Sequence, residues 1–509
     1  MYRIISASKD SYITNKIINN SFRAEDSNTG QAGTLDLFKL YNETTLEGSG
    51  TIAQTEISRI LLDFDLNIVK NMQNQGKIDI NDSNFNCTLK LHDVYGGQTT
   101  PSNFKTIIFP LAQKFNEGSG YDVSYFSDID AANFITASIV DGSAVLWNLK
   151  GAAMSGTLGT SDIDIIVSGS LAGPSGTSTV TLSPIQYFKD GIEDLEVDVT
   201  TIVSGVCSNQ ITNHGFLIAY SGSYETNQKS YFVKRFASRN SSNTAIRPKL
   251  IIRYDDSLHD NHEDFIFDVT GSLYLNNFHF DSAANIISGS AATELTGAEC
   301  LVLKIESGSI KKTYNVSQAM RGINHLTGVY SASFALSSFQ SAIRPHMLAS
   351  GSITFNEIWS SSDETVTYLS SSIDILNNQR YAFNNFHQNL LVTVTNLRES
   401  YKLSDIIKLR VFSENRDRAI VFKKLPFEKK SQIYHEMYYR VRDFQTNDII
   451  IPFDTSYKST RLSTDSSGMY FEFYVESLPP GRTYVFDFLI KKNGFDTIVT
   501  DAASKFRVE

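Results

Sequence analysis

The sequence predicts an all-β chain of three consecutive β-sandwich domains, the first jelly-roll-like and the later ones immunoglobulin-like. Three observations favour this class: polar and apolar residues alternate with a period of two, sustained helical periodicity is nearly absent, and the composition is rich in aromatic and uncharged polar residues. A chain of 509 residues also exceeds what a single hydrophobic core supports.

Strand-like alternation begins with the stretch RILLDFDL, residues 59–66. Alternate residues from Ile60 onward face one side, whereas Arg59, Asp63 and Asp65 face the other. Residues 86–95, 215–221 and 249–255 follow similar patterns, so each is predicted as an antiparallel strand with one buried face. Only short helices are expected, around 199–203 and 334–341.

Two breaks in the pattern define the predicted domains. The polar run 253–264 is the strongest linker in the sequence, and a second break lies near 376–389. The domains are therefore placed at 1–256, 257–383 and 384–509. Within the first, the Gly- and Ser-rich segment 151–183 is predicted to be an inserted hairpin or loop, either a flexible surface excursion or an arm that contacts a neighbouring subunit.

Composition argues against several functional classes. The formal net charge of −10 disfavours a general nucleic-acid binder, which would carry a basic surplus. Three widely separated cysteines form neither a disulfide framework nor a zinc motif. No apolar run approaches the length of a membrane span, and no signal sequence opens the chain, so we expect synthesis in a host cytoplasm without a membrane anchor.

The segment 231–256, YFVKRFASRNSSNTAIRPKLIIRYDD, concentrates cations within this acidic chain. Alternation in its last strand points Leu250, Ile252 and Tyr254 inward and leaves Ile251 outward with the cations. We therefore interpret the cations as solvated strand residues rather than as an anion site. Arg235 and Arg239 are expected to pair with acids, Asp63 or Asp65 being the nearest candidates by pattern.

The order of motifs in the first domain resembles the DNRLRE family, a jelly-roll-like sandwich related to carbohydrate-binding modules. ASKDSYI (7–13) is similar to its opening strand, SRILLDFDL (58–66) to its Arg-plus-Phe strand, and CTLKLHDVY (87–95) to the next. DLEVDVTTIV, NHGFLIAY and the Arg-Pro-x-Leu-x-Ile-x-Tyr ending follow in order. The resemblance covers about half the chain and implies that Arg59, Asp65, Arg239, Pro248 and Tyr254 define the fold; the insertion at 151 departs from the compact pattern.

Two further resemblances bear on function and fold. Residues 118–138, GSGYDVSYFSDIDAANFITAS, followed by VLWNLKGA, are similar to structural proteins of tailed phages that carry this domain, which implies a virion as the home of the chain. Near the C-terminus, Leu478-Pro-Pro-Gly481-x-x-Tyr484 resembles the turn of fibronectin-III and related immunoglobulin-like sandwiches. There Tyr484 would form a tyrosine corner, its hydroxyl bonded to nearby backbone.

Sites for chemistry are sparse. No P-loop, HExxH or GxSxG motif occurs, and Asp63 and Asp65 read as solvated strand residues rather than as an acid–base pair. His259 and His262 lie near acids, but a linker would lack the rigid frame that a metal needs. No cofactor is therefore expected, apart from a structural calcium, for which Asp128 and Asp130 in SDIDAAN supply oxygen ligands.

Glycan recognition requires exposed aromatic platforms. Trp147, Tyr220 and Tyr224 are the candidate residues, with core packing the favoured alternative for Trp147. We therefore expect a non-enzymatic structural subunit of a tailed-phage virion, in a tail, baseplate, neck or fibre, that contacts other virion proteins and is present in several copies. The alternative is a receptor- or carbohydrate-binding protein that uses the first sandwich.

Overall fold

The computed structural model describes every residue except 46, 48–51, 125–129, 281, 290, 378–388, 417–430 and 493, and describes only the backbone of 52–54 and 501–504. Strands account for 48% of the chain and helices for 7%, which confirms the predicted all-β class of multiple sandwiches. The chain divides into two compact units. We call Arg3–Asn71 with Phe85–Ile252 the N-terminal unit, and Met1–Tyr2, Met72–Asn84 and Arg253–Glu509 the C-terminal unit.

Through residue 253 the described residues form eighteen strands and three α-helices. The strands are β1 (Tyr2–Ser6), β2 (Lys9–Thr14), β3 (Ile17–Ile18), β4 (Phe22–Arg23), β5 (Thr34–Thr45), β6 (Ile52–Asp63), β7 (Asn86–Leu91), β8 (Phe104–Pro110), β9 (Thr136–Val140), β10 (Ser143–Leu146), β11 (Ser155–Thr157), β12 (Ile165–Gly173), β13 (Gly176–Thr181), β14 (Ile185–Phe188), β15 (Leu195–Asp198), β16 (Phe216–Tyr220), β17 (Tyr231–Ala237) and β18 (Lys249–Arg253). The helices are α1 (Asn67–Asn74), α2 (Thr200–Cys207) and α3 (Ser223–Thr226), with a 3-10 turn at Thr244–Ile246. The helix predicted near 199–203 is thus present as α2.

Two large sheets organise this part of the chain. One has the strand order β1-β18-β7-β15, and the other β14-β8-β16-β6-β5-β17, with β2 also pairing to β6. The central strand β6 departs from the prediction of a single buried face, since Ile60, Leu61 and Leu62 are all fully buried. Ile251, predicted to face outward, is buried as well.

The second buried face of β6 has an identifiable cause. Leu61 belongs to a core cluster that includes Leu217 of β16, Trp147 and Ile165 of β12. Ile165 belongs to the 151–183 segment predicted as an insertion, and Trp147 lies just before it, so this part of the chain covers one face of the large sheet. Alternation alone cannot reveal such a cover, because it reports only the pleat of the strand.

The central part of the chain forms a six-stranded antiparallel sheet with two short hairpins. Its strands are β19 (Gly271–Asn276), β20 (Phe278–His279), β21 (Ser282–Ala283), β22 (Ile287–Ser288), β23 (Thr293–Glu294), β24 (Leu301–Ser307), β25 (Ile310–Arg321), β26 (Asn324–Phe334), β27 (Ser352–Ser361) and β28 (Thr367–Leu376), with helix α4 at Arg344–Ser350. The order is β19-β26-β25-β24-β27-β28. A helix was predicted over 334–341, but Phe334 ends a strand and α4 begins only at Arg344, whose following proline suits a first turn.

Strand β25 links two layers around one core. Its first half pairs with β24, and its second half pairs with β26 with a register shift between Gln318 and Met320. The core includes Leu273 of β19 and Trp359 of β27, which lie in opposite parts of the sheet order. A long strand that changes partners in this way lets one continuous sheet curl over its own core.

The C-terminal strands follow the immunoglobulin order. They are β29 (Leu390–Val394), β30 (Ser400–Tyr401), β31 (Ile406–Asn415), β32 (Met437–Asp443), β33 (Ile449–Ile451), β34 (Ser463–Asp465), β35 (Gly468–Tyr474), β36 (Thr483–Lys492) and β37 (Phe495–Val508), with a 3-10 turn at Val475–Ser477. The sheets β29-β31-β35-β34 and β30-β37-β36-β32-β33 correspond to strands ABED and A′GFCC′. Tyr484, fully buried at the start of strand F, donates its hydroxyl to the carbonyl of Pro479 at 2.6 Å, the contact that defines a tyrosine corner.

Candidate functional site

The cations of residues 231–256 are held by oxygens of the chain itself. Arg235 makes a bidentate pair with Asp36, with both nitrogen–oxygen distances at 2.7 Å. Arg239 makes another with Glu117, at 2.5 and 2.9 Å. Pairing such as this fixes two planar groups in one orientation, so both arginines tie distant segments together instead of presenting charge to a ligand.

The sequence-based partners of these arginines are wrong. Asp63 lies opposite Lys9 in the β2–β6 register and pairs with it at 3.5 Å. Asp65 follows the end of β6, and its carboxylate accepts a hydrogen bond from the backbone N–H of Asn67 at the start of α1. Because pairing depends on register and loop path, acids on the nearest patterned strand gave no guide to the true partners.

Lys234 is the most deeply buried cation of the segment. Its side chain is fully buried, and its ammonium contacts Asp93 Oδ1 at 2.5 Å and the carbonyls of Gly191 and Glu193 at 2.8 Å each. The rings of Phe188 and Phe236 lie 5.3 and 5.0 Å from the ammonium. Burial lowers the pKa of Lys234, and Asp93 opposes that shift.

The ammonium of Lys39, on the adjacent strand β5, is bound in a similar way. It is fully buried and donates to the carbonyl of Tyr224 at 3.1 Å, to the carbonyl of Asn227, and to the Asn227 side chain at 2.8 Å. Burial lowers its pKa. Both lysines therefore gather loop carbonyls around one ammonium, which fixes those loops on the sheet.

Arg59 connects the large sheet to the segment predicted as an insertion. Its guanidinium pairs with Glu225 of α3 at 2.9 and 2.8 Å and also donates to the carbonyl of Gly151 at 2.5 Å. The other residues implied by the family resemblance have structural contacts too: the carbonyl of Pro248 accepts from Ala7, and Tyr254 is buried. These contacts give the residues structural roles.

The base of the 151–183 segment is organised by one buried carboxylate. Asp164 is fully buried and accepts backbone N–H groups from Asn148, Leu149 and Met154 at 2.8 to 3.0 Å. Gln113 donates to it as well, at 2.8 Å. Beyond this base the segment forms a three-stranded sheet, β11-β12-β13, in which the predicted hairpin is β12–β13.

The three candidate glycan residues do not form a platform. Trp147 is buried and donates its indole N–H to the carbonyl of Asn133 at 2.9 Å, so the packing alternative fits its position. Tyr220 is also buried and stacks on Tyr231 at 5.3 Å. Tyr224, half-buried, packs against the same Tyr231. The first two rings have no free face on which a sugar would stack.

Of the two calcium candidates, the structure describes only Asp130. Asp128 lies outside the described residues, and Asp130 is exposed. Among the residues the structure describes, no three His, Cys, Asp or Glu side chains converge as metal ligands. No helix in that same part of the chain has the length and apolar content that crossing a membrane requires.

A buried histidine–carboxylate cluster occupies the segment that the sequence presented as a linker. The imidazole of His262 contacts Asp260 through Nδ1 and lies 2.9 Å from both carboxylate oxygens of Glu357 through Nε2. Trp359 donates to Glu357 at 2.5 Å. Although burial alone would lower it, these hydrogen bonds and charges raise the pKa of His262 to about 10.

This cluster corrects the expectation that the segment would lack a rigid frame. Asp260 and Glu357 are buried, and the carbonyl of Asp260 accepts a hydrogen bond from Thr464 at 2.9 Å. The segment is therefore pinned between the central and C-terminal strands of its unit. The sequence signal was the pair His259 and His262 among acids, but Glu357, almost a hundred residues away, could not be inferred from it.

Comparisons with known proteins add no family. No family model matches the chain, and no curated protein matches it. Among solved structures, the N-terminal Ig1-2 module of the Drosophila receptor protein tyrosine phosphatase DLAR is 8% identical and covers 47% of this chain and 90% of its own, with a TM-score of 0.13. The tandem Ig repeats of Dlar are 10% identical and cover 41% and 81%, with a TM-score of 0.12.

A third solved structure, trypsin-activated alpha-2-macroglobulin from Escherichia coli, is 9% identical and has a TM-score of 0.13. The alignment covers 100% of this chain but only 37% of the macroglobulin. At such TM-scores none of these likenesses carries an argument. The immunoglobulin-like description of the C-terminal sandwich rests on its own strand order and on the hydrogen bond of Tyr484.

Proposed function

We propose that this chain is a non-enzymatic structural subunit of a tailed-phage virion that acts through protein–protein contacts. The observation that carries the proposal is the use made of charge in the N-terminal unit. Arg59, Lys234, Arg235 and Arg239 are each engaged by acids or carbonyls of the same chain. Arg235 joins neighbouring strands, and the other three hold loops or a short helix. Ion pairs and hydrogen bonds of this kind suit a rigid spacer whose loops have fixed positions.

Two further points support this role. The motif order of the first sandwich resembles a family found in phage and surface proteins, and the 118–138 stretch resembles phage structural proteins. In addition, large apolar side chains are exposed, including Phe280 in a turn at 90% and Leu348 on helix α4 at 81%. Exposed apolar groups of this size are typical of surfaces that another protein covers, although single ones also occur on monomers.

The test is quantitative mass spectrometry of particles purified from the phage that encodes the chain. We expect the chain in a fixed copy number greater than one per particle, retained through a high-salt wash. Absence from the particles would refute the proposal. The receptor-binding alternative is tested in parallel on a glycan array: saturable binding by the full chain, abolished by Tyr224→Ala but not by exposed Tyr121→Phe, would favour that alternative.

A further inference from the structure

The outer edge of β13 is open. In the three-stranded sheet, β12 lies between β11 and β13, so β13 has one paired and one unpaired side. Gly173 and Gly176 close a two-residue turn, and the pairing continues to Ser168 opposite Thr181. Within the described part of the chain, no strand pairs with the other side of β13.

The register identifies which backbone groups face that open side. The N–H of Leu182 donates to the carbonyl of Val167 at 2.8 Å, so these two residues form a hydrogen-bonded pair. In an antiparallel ladder hydrogen-bonded pairs alternate with non-hydrogen-bonded pairs, so every second pair from here to the turn is also hydrogen-bonded. The intervening residues Thr177, Thr179 and Thr181 therefore direct their N–H and C=O groups away from β12. A row of such groups is a template for another strand.

The usual protections of an edge strand are missing from β13. Residues 165–183 contain no Asp, Glu, Lys or Arg, and β13 itself has no proline. The edge strand β15 of the same unit is different: the side chain of Gln186 donates to the carbonyl of Asp194 at 2.8 Å and accepts from the N–H of Glu196 at 2.6 Å. Natural sheets block exposed edges with charge, proline or a covering group, and β13 has none of these.

The hairpin that carries this edge is held in place. On the far side of β12, the side-chain amide of Gln210 bonds both the N–H and the carbonyl of Ala172, at 2.5 and 2.9 Å. Leu171 is buried, and the N–H of Leu158 donates to the carbonyl of Ser168 at 2.8 Å. A fixed edge loses little conformational freedom when a partner strand adds to it.

We propose that β13 pairs with β13 of a second copy of this chain, antiparallel and about a twofold axis, to join two three-stranded sheets into one. The inference rests on the proposed role as a multi-copy subunit. With Thr179 opposite its own counterpart and Thr177 opposite Thr181, each pair forms two main-chain hydrogen bonds. Facing threonines are favourable cross-strand pairs, and a neutral edge lets two chains of net charge −10 approach without local repulsion.

The first experiment is sedimentation velocity of the full chain over a concentration series. We expect a monomer–dimer equilibrium that Thr179→Pro weakens by about tenfold or more, since proline removes the outward N–H but no hydrogen bond to β12. Thr179→Val keeps the N–H and should self-associate like the parent chain. The fold of each variant is checked by 19F NMR of 5-fluorotryptophan at Trp147, which packs beside Ile165.

The second experiment tests the register. Thr179→Cys should form an intermolecular disulfide under mild oxidation, whereas Ser178→Cys, one position out of the twofold pairing, should not. A chain that stays monomeric, or a dimer indifferent to Thr179→Pro, would overturn the proposal. A monomeric chain whose Thr179→Pro variant is lost from virions would instead assign the edge to a strand of another virion protein. Absence of the parent chain from virions counts against the proposed function alone.

Discussion

Among the described residues, both fully buried lysines lie in the N-terminal unit, and the two units hold their buried charges in different ways. In the N-terminal unit, the fully buried Lys39 and Lys234 collect carbonyl oxygens from loops. In the C-terminal unit, the fully buried Glu357 and Asp487 are held by side chains: His262 and Trp359 for the first, and two arginines for the second.

The contrast has a simple physical origin. Carbonyl oxygens have two lone pairs and remain available in loops, so a buried ammonium finds acceptors wherever a loop folds over a sheet. Backbone N–H groups in a sheet are already used in the ladder, so a buried carboxylate on a strand needs side-chain donors. Asp164 fits the same rule from the other side, because it sits among loop residues whose N–H groups are free to donate.

The strongest way to break the comparison is His262→Leu. It leaves two buried carboxylates, Asp260 and Glu357, facing each other without a cation, so we expect the C-terminal unit to lose about 4 kcal/mol of unfolding free energy at neutral pH. Urea unfolding followed by the 19F signal of Trp359 measures it. His346→Leu, at an exposed position in α4, is the control and should change stability by less than about 0.5 kcal/mol. A loss under about 1 kcal/mol for His262→Leu would mean that the cluster is not an ion cluster.

The matching change in the N-terminal unit is Lys234→Met. It removes the ammonium from Asp93 and two carbonyls, and because Asp93 retains some contact with solvent, we expect a smaller loss of about 3 kcal/mol. Unfolding followed at Trp147 reports this unit. Lys9→Met provides the control: the Lys9–Asp63 pair is exposed and should contribute less than about 1 kcal/mol. Equal effects of the two lysine variants would contradict the role given to burial.

The smallest expected effect is on pH dependence: between pH 8 and 9.5 the unfolding free energies of the two units should change in opposite directions. The raised pKa of His262 means that its stabilisation is complete below pH 6.5 and is lost as pH rises toward 10, so the C-terminal unit should weaken. Burial lowers the pKa of Lys249 to about 8. Above that pH this lysine holds its proton more in the unfolded chain than in the folded one, so its titration should raise the unfolding free energy of the N-terminal unit.

Each slope has its own check. His262→Leu should flatten the decline reported by Trp359, and Lys249→Met should flatten the rise reported by Trp147 over the same range. Burial raises the pKa of Asp10 to about 7, so this carboxyl group has finished most of its titration by pH 8. It therefore adds little to the change in unfolding free energy between pH 8 and 9.5 and does not mask the rise. Parallel slopes in both units, unchanged by either substitution, would refute the assignment of these two groups.

The local sequence pattern was enough to predict the positions of strands. Alternation located β6 and β18, and the Leu-Pro-Pro-Gly motif located the corner at Tyr484. What failed was information that lies outside a strand. Leu61 is buried because another segment covers it, and Arg239 meets Glu117 because two distant loops converge. Neither fact leaves a trace in the residues that flank it.

Prediction of the candidate site failed for the same reason, because it needed information from outside each strand. The cations of 231–256 were interpreted as solvated strand residues, but Lys234 is fully buried, and the partners of Arg235 and Arg239 depended on tertiary pairing that spacing cannot give. His262 was recognised as part of a His–acid group, yet its segment was taken for a linker because it is polar. Polar composition is typical of linkers, and it is also typical of a buried ion cluster whose members satisfy one another.

The anchoring of the 151–183 segment at Asp164 has a consequence for how such a chain diversifies. Because the carboxylate and the N–H groups of Asn148, Leu149 and Met154 secure the base, and Ile165 and Leu171 hold β12 in place, we expect length changes to be tolerated only at the turn between β12 and β13. Insertions at the Pro174–Ser175 turn leave the covered face of β6 intact. Selection on what the subunit touches is thereby separated from selection on whether it folds.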